Sequence, residues 1–276
     1  MKTIKTVCAL LLTFSSSVFT VTAQYDNLYV MKTDADVDQY TIEEEVDDVM
    51  DENSTAAATK GTFTDTRDNT VYNWVTIGDQ VWMAENLAYL PSVNPVADVS
   101  ESIAHYYVYG YDSTVVAYAK ATSNYATYGV LYNWTAAMDG SGSSKTNPSG
   151  VQGVCPVEWH LPSHSEWTEL INYVGGRSVA GGKLKEAGTN HWSDPNTDAT
   201  NETGFTALPG GYLANDDETF RTSYKFFGIG SNGTWWSTTE FFSEEAWYRS
   251  MSFKFGNVHM YNSIKEVGYA VRCVRD

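Results

Sequence analysis

Two cysteines that lie far apart, Cys155 and Cys273, restrict the fold more than any other feature of the chain. The third cysteine, Cys8, falls within the first 23 residues, which we interpret below as a removable leader. Two thiols in an exported chain are most simply explained by one disulfide bond. Closing a loop of about 120 residues would stabilise the folded state by about 4–5 kcal/mol on the chain-entropy model. The sequence therefore predicts that the last strand is joined covalently to the middle of the chain.

Residues 1–23 have the three parts of a secretory signal peptide. A start with two lysines is followed by a short apolar, hydroxyl-rich run over residues 9–19 and a small-x-small cleavage site at residues 21–23. The run is too short to span a bilayer, and no later segment approaches eighteen uninterrupted apolar residues. We expect an exported protein without a transmembrane segment, either secreted or held at the cell surface. Because Cys8 precedes most of the apolar run, a lipid anchor on this cysteine is disfavoured.

The chain is strongly acidic, with 17 Lys and Arg against 34 Asp and Glu and a net charge of −17. Loss of the leader would remove two lysines and make the exported part more acidic. Such a surface repels nucleic acid and anionic lipid, so we expect no nucleic-acid partner. Nine tryptophans and 19 tyrosines with only 7 prolines indicate a packed aromatic domain and not a disordered chain.

Residues 24–59 differ in texture from the rest of the chain. Residues 28–31 and 37–42 are typical of a small strand pair, and an acidic run follows over residues 43–52. Apolar residues in this run have helical spacing, but a solvated acidic linker is the favoured interpretation. Small polar residues then lead into the main domain, which we place at residues 60–276.

The main domain has the sequence texture of short strands and few helices. Residues 71–77 and 80–83 flank Gly78-Asp79, which predicts a hairpin. Residues 127–138 carry apolar side chains at helical spacing and predict a helix that stops at Asp139-Gly140. Closing strands are predicted at residues 246–253, 258–261 and 269–274.

The stretch CPVEWHLPSHSEWTEL (155–170) is rich in residues that can do chemistry, but it also has the signals of a helix start. Ser163 followed three residues later by Glu166 is a capping box, in which each side chain accepts the other's backbone N–H. Apolar residues at helical spacing follow, and Gly175-Gly176 predicts the helix end. Most of this stretch is therefore predicted to be structural.

Seven segments occur in order and together resemble the Fibrobacter succinogenes major paralogous domain, a module of exported and surface proteins abundant in Bacteroidetes and Fibrobacteres. The resemblance covers residues 62–276, and the family itself has no assigned reaction. The segments are VTIGDQVWMAENL (75–87), YGVLYNWTAAM (128–138), CPVEWHLPSHSEW (155–167), AGGKLKEAG (180–188), NETGFTALPGG (201–211), WWSTTE (235–240) and GYAVRCVRD (268–276).

The resemblance implies an α+β fold similar to the C-type lectin-like fold. In that fold a twisted antiparallel β-sheet and two or three short helices support long irregular loops, and the chain ends meet in adjacent strands. The chain lacks the Glu-Pro-Asn or Gln-Pro-Asp tripeptide and the Trp-Asn-Asp of sugar-binding C-type lectins. Calcium-dependent monosaccharide binding of that kind is therefore not expected.

His160, His164 and Glu166 are the strongest candidates for a metal or acid–base site. Two imidazoles four residues apart share a face only if both are helical, and Pro162 and the cap lie between these two. We therefore expect a partly buried His160 and an exposed His164. A copper oxidase site of the kind found on related scaffolds needs two cysteines near the C-terminus, where only Cys273 occurs. Without a Gly-x-Ser-x-Gly motif either, we predict that the protein is not an enzyme.

One polar loop collects hard oxygen donors of the type that Ca²⁺ prefers. The EF-hand spacing is absent, so a solvated loop of Asx turns is the default and a structural calcium ion the alternative. The possible calcium ligands are Asp194, Asn196, Asp198, Asn201 and Glu202.

Aromatic residues of the last third provide the candidate ligand-binding surface. Trp235 and Trp236 lie in a family segment and are expected in the core. Rings outside the family segments are better candidates for an exposed rim that stacks on sugars or contacts a protein. These are Tyr224, Phe226, Phe227, Phe241 and Phe242.

From these features we expect a secreted or cell-surface binding module without catalysis, which recognises an extracellular glycan or a surface protein through its loop face. One alternative is a structural component of the cell envelope or of a surface appendage. A hydrolase acting on polysaccharide is a further alternative, disfavoured by the residues available.

Overall fold

A computed structural model describes residues 18–22, 28–32, 60–216 and 223–275. The chain divides into two units, Met1–Ser54 and Thr55–Asp276, which we describe separately. In the first unit, strand β1 (Val18–Thr22) pairs antiparallel with β2 (Leu28–Lys32). The strand predicted at residues 28–31 is thus present, with β1 as its partner. Most of the predicted leader, the strand expected at residues 37–42 and the acidic run lie outside the described residues.

The second unit begins with a four-stranded antiparallel sheet. Strands β3 (Lys60–Asp65), β4 (Thr70–Ile77) and β5 (Gln80–Met83) form a meander, which confirms the hairpin predicted around Gly78-Asp79. The final strand, β14 (Val274–Arg275), pairs with β5 and completes the order β14-β5-β4-β3. The end of the described chain is therefore built into the first sheet of this unit.

The larger sheet has six strands in the order β12-β11-β10-β13-β7-β6. All neighbours are antiparallel except the short contact between β10 and β13. A separate two-stranded ribbon pairs β8 with β9. The bounds are β6 (Tyr106–Tyr107), β7 (Leu131–Tyr132), β8 (Gly210–Asn215), β9 (Tyr224–Ile229), β10 (Asn232–Phe242), β11 (Glu245–Ser252), β12 (His259–Ile264) and β13 (Tyr269–Ala270).

Five short helices are described in this unit. They are α1 (Val116–Lys120), α2 (Ser123–Tyr128), α3 (Trp134–Met138), α4 (His164–Tyr173) and α5 (Arg177–Leu184). Each described helix is too short to cross a bilayer. The described part of the chain is therefore a mixed fold in which sheets dominate over short helices.

The single helix predicted over residues 127–138 is wrong. Gly129 ends α2 with a φ of 74°, and a Cβ there would lie 2.7 Å from the Leu87 carbonyl oxygen. Residues 131–132 then form β7 in the large sheet, and Asn133 caps α3 by accepting the Ala136 N–H. Tertiary pairing thus interrupts a segment whose apolar spacing alone is helical.

The core is aromatic, as the composition predicts. Trp235 and Trp236 are both fully buried, which confirms their expected core position. Neighbouring side chains of a strand point to opposite faces, so these two rings enter different parts of the core. Trp235 lies 6.3 Å from Trp167 of α4, whereas Trp236 packs 4.6 Å from Tyr269 of β13.

The predicted disulfide bond between Cys155 and Cys273 is present, with the two Cα atoms 6.0 Å apart. Backbone hydrogen bonds reinforce the same junction, because His160 and Val274 exchange N–H···O bonds of 2.9 and 3.0 Å. His160, two residues before Pro162, thus pairs in extended geometry with the last strand. This junction fixes the entry to α4 against the last strand.

Two adjacent glycines of a family segment allow α5 to approach the loops beside it. A Cβ on Gly181 would lie 2.2 Å from the Asn257 carbonyl oxygen, and a Cβ on Gly182 would lie 2.5 Å from the Asp198 carbonyl oxygen. Real Cβ contacts are not this short, so the packing of α5 requires the absence of a side chain at both positions.

Candidate functional site

Glu166 and His160, first considered for metal or acid–base chemistry, instead stabilise the start of α4. Ser163 Oγ accepts the Glu166 N–H at 3.1 Å, and Glu166 Oε2 accepts the Ser163 N–H at 2.7 Å, so the predicted capping box is present. Glu166 is fully buried, and the Ser149 N–H and the imidazole of His160 also hydrogen-bond to it. Both carboxylate oxygens therefore have structural partners.

His164 begins α4 but is not the exposed side chain that the sequence suggested. Its ring is partly buried and lies edge-on to Trp247, with centroids 5.1 Å apart. Its Nδ1 atom is buried without a hydrogen-bond partner. Burial, followed by the positive charge of Arg249, lowers the pKa of His164 from 6.5 to about 4. The imidazole is therefore neutral at physiological pH.

Arg249 of β11 is fully buried beneath the first turn of α4. Its Nη2 donates to the His164 carbonyl oxygen at 3.0 Å and to Thr168 Oγ1 at 3.4 Å, whereas Nε and Nη1 have no hydrogen-bond partner. Burial, and then the charge of Arg177, lowers the pKa of Arg249 from 12.5 to about 10. Arg249 thus keeps its positive charge at neutral pH.

Four rings form a continuous row from the start of α4 to the tip of the β10–β11 hairpin. Beyond the His164–Trp247 contact, Trp247 lies 4.8 Å from Phe241, and Phe241 lies 4.2 Å from Phe242. We call His164, Trp247, Phe241 and Phe242 the aromatic row. Its outer members, Phe241 and Phe242, are 38% and 64% exposed. This is the exposed surface that the sequence predicted at these two phenylalanines.

The other three predicted rim residues lie on β9 and are less exposed. Tyr224 is buried and hydrogen-bonds to Glu266, so its placement on an exposed rim is wrong. Phe226 and Phe227 are partly buried, because they pack 5.0 Å from Tyr109 and 5.7 Å from Tyr212. The pairing of β9 with β8 supplies these neighbours. Ring contacts among the described residues do not join them to the aromatic row.

Arg249 was not identified from the sequence, and Trp247 was considered only as one of the aromatic residues of the last third. Trp247 lies in a predicted strand, where an alternating pattern gives no indication of its neighbours, and Arg249 is a single charged residue in the same strand. The one available signal was the position of Arg249 on the same strand face as Trp247. A charged residue is seldom fully buried, so a charge on a face that packs inward indicates a special environment.

Several atoms of the possible calcium ligands have protein partners, whereas the Oδ1 atom of Asn196 is buried without one among the described residues. Glu202 pairs with Lys183 at 3.0 Å, and the Asn201 side chain bonds to the backbone and hydroxyl of Thr206. Asn196 donates to the carbonyl oxygens of Glu186 and Gly188.

Asn196, Asp198 and Asn201 have φ values of 42°, 59° and 52°, which are typical of turns. Asp198 lies against Gly256, and Asp194 precedes a cis proline. Within the described ranges, no group of three or more His, Cys, Asp or Glu side chains is placed to hold a metal ion. These five residues therefore lie in a turn-rich loop, in which Asn201 and Glu202 are held by protein partners.

The fold and its exposed ring surface define a mixed α/β module with short helices, closed by a disulfide bond and presenting aromatic side chains at a hairpin tip. The sequence model of one protein family, the Fibrobacter succinogenes major domain, matches residues 75–275. The chain belongs to this family, which confirms the resemblance seen in its sequence segments. Comparison with curated proteins and with solved structures gives no match.

Proposed function

We propose that this protein is a non-catalytic binding module, exported to the cell surface or secreted, that recognises a glycan or a protein through the aromatic row. The exposure of Phe241 and Phe242 at the hairpin tip is the observation that carries the proposal. Two adjacent exposed phenylalanines form an apolar surface that a ligand can cover, and exposed rings are frequent contact points for sugars and proteins.

The hairpin that carries these rings is held in place from within. Lys265 is largely buried, forms an ion pair with Glu240, and donates to the Ser243 carbonyl oxygen at 2.7 Å. The same ammonium group lies 4.3 Å above the ring of Trp134. Asn262 of β12 also donates to Glu245 at the start of β11. A preorganised surface loses less entropy on binding, which supports a role in recognition.

The contacts of the candidate catalytic residues also favour a role in binding over one in catalysis. Glu166 bonds to two backbone N–H groups and one imidazole, so neither of its oxygens is left for a substrate. We further infer that the unit has the C-type lectin-like plan. Its sheets, short helices and disulfide bond between the middle and the end of the chain agree with that plan.

A glycan array and a pull-down on surface extracts test the proposal with three proteins: the natural chain, the double variant Phe241→Ala/Phe242→Ala, and Tyr118→Ala. Tyr118 lies on α1 and is 70% exposed, so its variant is a matched control for the loss of an exposed ring. We expect the double variant to retain at least 10-fold less ligand, while Tyr118→Ala binds normally and all three proteins have similar melting temperatures. Equal retention by the double variant would exclude the aromatic row, and capture of nothing by the natural chain would count against a binding module.

A further inference from the structure

Among the described residues, the buried Lys and Arg side chains have hydrogen-bond acceptors for their nitrogens, with one exception. Lys185 Nζ donates to the carbonyl oxygens of Thr197, Ser252 and Phe255 at 2.9–3.0 Å. Arg272 is fully buried, and each of its three nitrogens donates to the side chain of Asn86 or to a backbone carbonyl oxygen. These cations show that the fold can satisfy a buried positive charge without a carboxylate.

Arg249 is the exception. It is as completely buried as Arg272, but only its Nη2 atom has acceptors, and Nε and Nη1 have none. No described carboxylate forms an ion pair with it. An unpaired buried charge costs several kcal/mol, and a buried polar group without a partner is rare in folded proteins. The guanidinium group of Arg249 therefore lacks, among the described residues, both a carboxylate partner and acceptors for two of its nitrogens.

A second incomplete group lies beside the first. The His164 carbonyl oxygen accepts Nη2 of Arg249, and the Nδ1 atom of the same histidine is buried without a partner. Three polar nitrogens without partners thus belong to two residues in direct contact. A bound carboxylate can bond to Nη2 together with either Nε or Nη1, which lie on different edges of the guanidinium group, whereas an apolar group can satisfy none of these nitrogens.

The position lies directly beneath the solvent-exposed side of α4, although Arg249 itself is fully buried. His164 and Thr168, which hold Nη2 of Arg249, are lining residues of a shallow groove along α4 that extends past Glu169 to Tyr173. Trp247 lies two residues before Arg249 on β11, so the two side chains share a face of the sheet. A ligand that enters beside His164 therefore reaches the guanidinium group only if the His164 side chain moves, and it then meets the indole ring of Trp247 next to it.

We propose that Arg249, His164 and Thr168 form a binding site for a carboxylate group on a ligand, with Trp247 contacting the body that carries it. Arginine recognises a carboxylate through paired N–H donors, and neutral His164 can donate a further hydrogen bond from Nδ1. The chain's net charge of −17 disfavours long polyanions, so the ligand class is one with a single carboxylate, such as a monomeric or terminal uronic acid.

This site shares His164 and Trp247 with the aromatic row but does not include Phe241 or Phe242, and its test separates it from the function proposed above. The side-chain Nε–H signal of Arg249, observed by ¹⁵N NMR, is followed during titration with acetate, glucuronate and their neutral counterparts acetamide and glucose. We expect the two carboxylates to shift this signal and the neutral compounds to leave it unchanged. Tighter binding of glucuronate than of acetate supports an acidic sugar as the source of the carboxylate, and equal binding supports small free acids.

Two variants complete the test. Thr168→Val keeps the shape of the side chain but removes the hydroxyl group that accepts Nη2 of Arg249. This change loosens the guanidinium group and is expected to weaken glucuronate binding at least 3-fold, and Arg249→Met should weaken it at least 10-fold if it folds. Tyr118→Ala, at an exposed ring on α1, is the control and is expected to bind glucuronate as the natural chain does. The Arg249 signal is read without any macromolecular ligand, so a failure of the function proposed above leaves this result unchanged. The proposal would be overturned if neither carboxylate shifted the Arg249 Nε–H signal, or if glucose and glucuronate shifted it equally. A crystal structure grown in glucuronate with only water at Nε and Nη1 would also overturn it.

Discussion

The imidazole Nε2 of His160 lies 2.5 Å from Oε1 of Glu166, the residue whose other oxygen accepts the backbone N–H of Ser163. Since Glu166 also accepts the Ser149 N–H at 3.1 Å, one buried carboxylate joins the segment entering α4, the start of α4 and the loop before Cys155. Glu166 and His160, which first suggested catalysis, thus hold three segments of the chain together.

Glu166→Ala is expected to lower the free energy of unfolding by about 2–4 kcal/mol, because it removes half of a capping box and leaves buried N–H groups without an acceptor. Urea denaturation followed by tryptophan fluorescence measures the change. Asn172→Ala, at an exposed position of the same helix, is the control and should stay within about 0.5 kcal/mol of the natural chain. A loss below about 1 kcal/mol for Glu166→Ala would show that the carboxylate is dispensable.

Gly181→Ala is expected to destabilise the unit by about 1–3 kcal/mol, because the new Cβ would overlap the Asn257 carbonyl oxygen and push α5 away. Gly142→Ala is the matched control, since a Cβ at that glycine meets no atom within 4 Å. It should be neutral or slightly stabilising through the unfolded chain. Thermal denaturation of both variants tests the contrast, and similar melting temperatures would contradict it.

His164 makes stability depend on pH. Its folded pKa of about 4 lies below the ordinary 6.5, so between these values the unfolded chain binds more protons at this residue. The contribution is therefore complete above pH 6.5 and is lost as the pH falls towards 4. Because the ring is only partly buried, we expect about 1 kcal/mol over this window.

Replacing the imidazole with a group that does not titrate isolates this effect. The difference in unfolding free energy between the natural chain and His164→Asn should change by that amount between pH 7 and pH 4, whereas the difference for Ser165→Ala should stay constant. Parallel stability curves for the natural chain and His164→Asn would show that the histidine titrates normally.

The parts of the fold that the sequence predicted are those with local signals. The Ser163–Glu166 pair and the glycines at 175–176 delimit α4 within a few residues, and the Gly78-Asp79 turn identifies the hairpin of β4 and β5. The prediction failed at residues 127–138, where β7 pairs with β6 and β13. Apolar spacing carries no information about a strand pairing formed with residues distant in the chain.

The candidate site was only partly predictable for the same reason. Phe241 and Phe242 were identified because they lie outside the family segments, but that criterion also selected Tyr224, which β9 carries into the interior. The contact between Arg249 and His164 joins residues 85 positions apart, so no local pattern could indicate it. Burial and long-range contacts follow from the assembled sheets.

The bond between Cys155 and Cys273 has a consequence for proteolysis. A protease that cuts once anywhere between these two residues produces two polypeptides that stay attached to each other. The family segments at residues 201–211 and 235–240 both lie within this interval. A nicked molecule therefore releases no fragment and runs as two bands only after reduction.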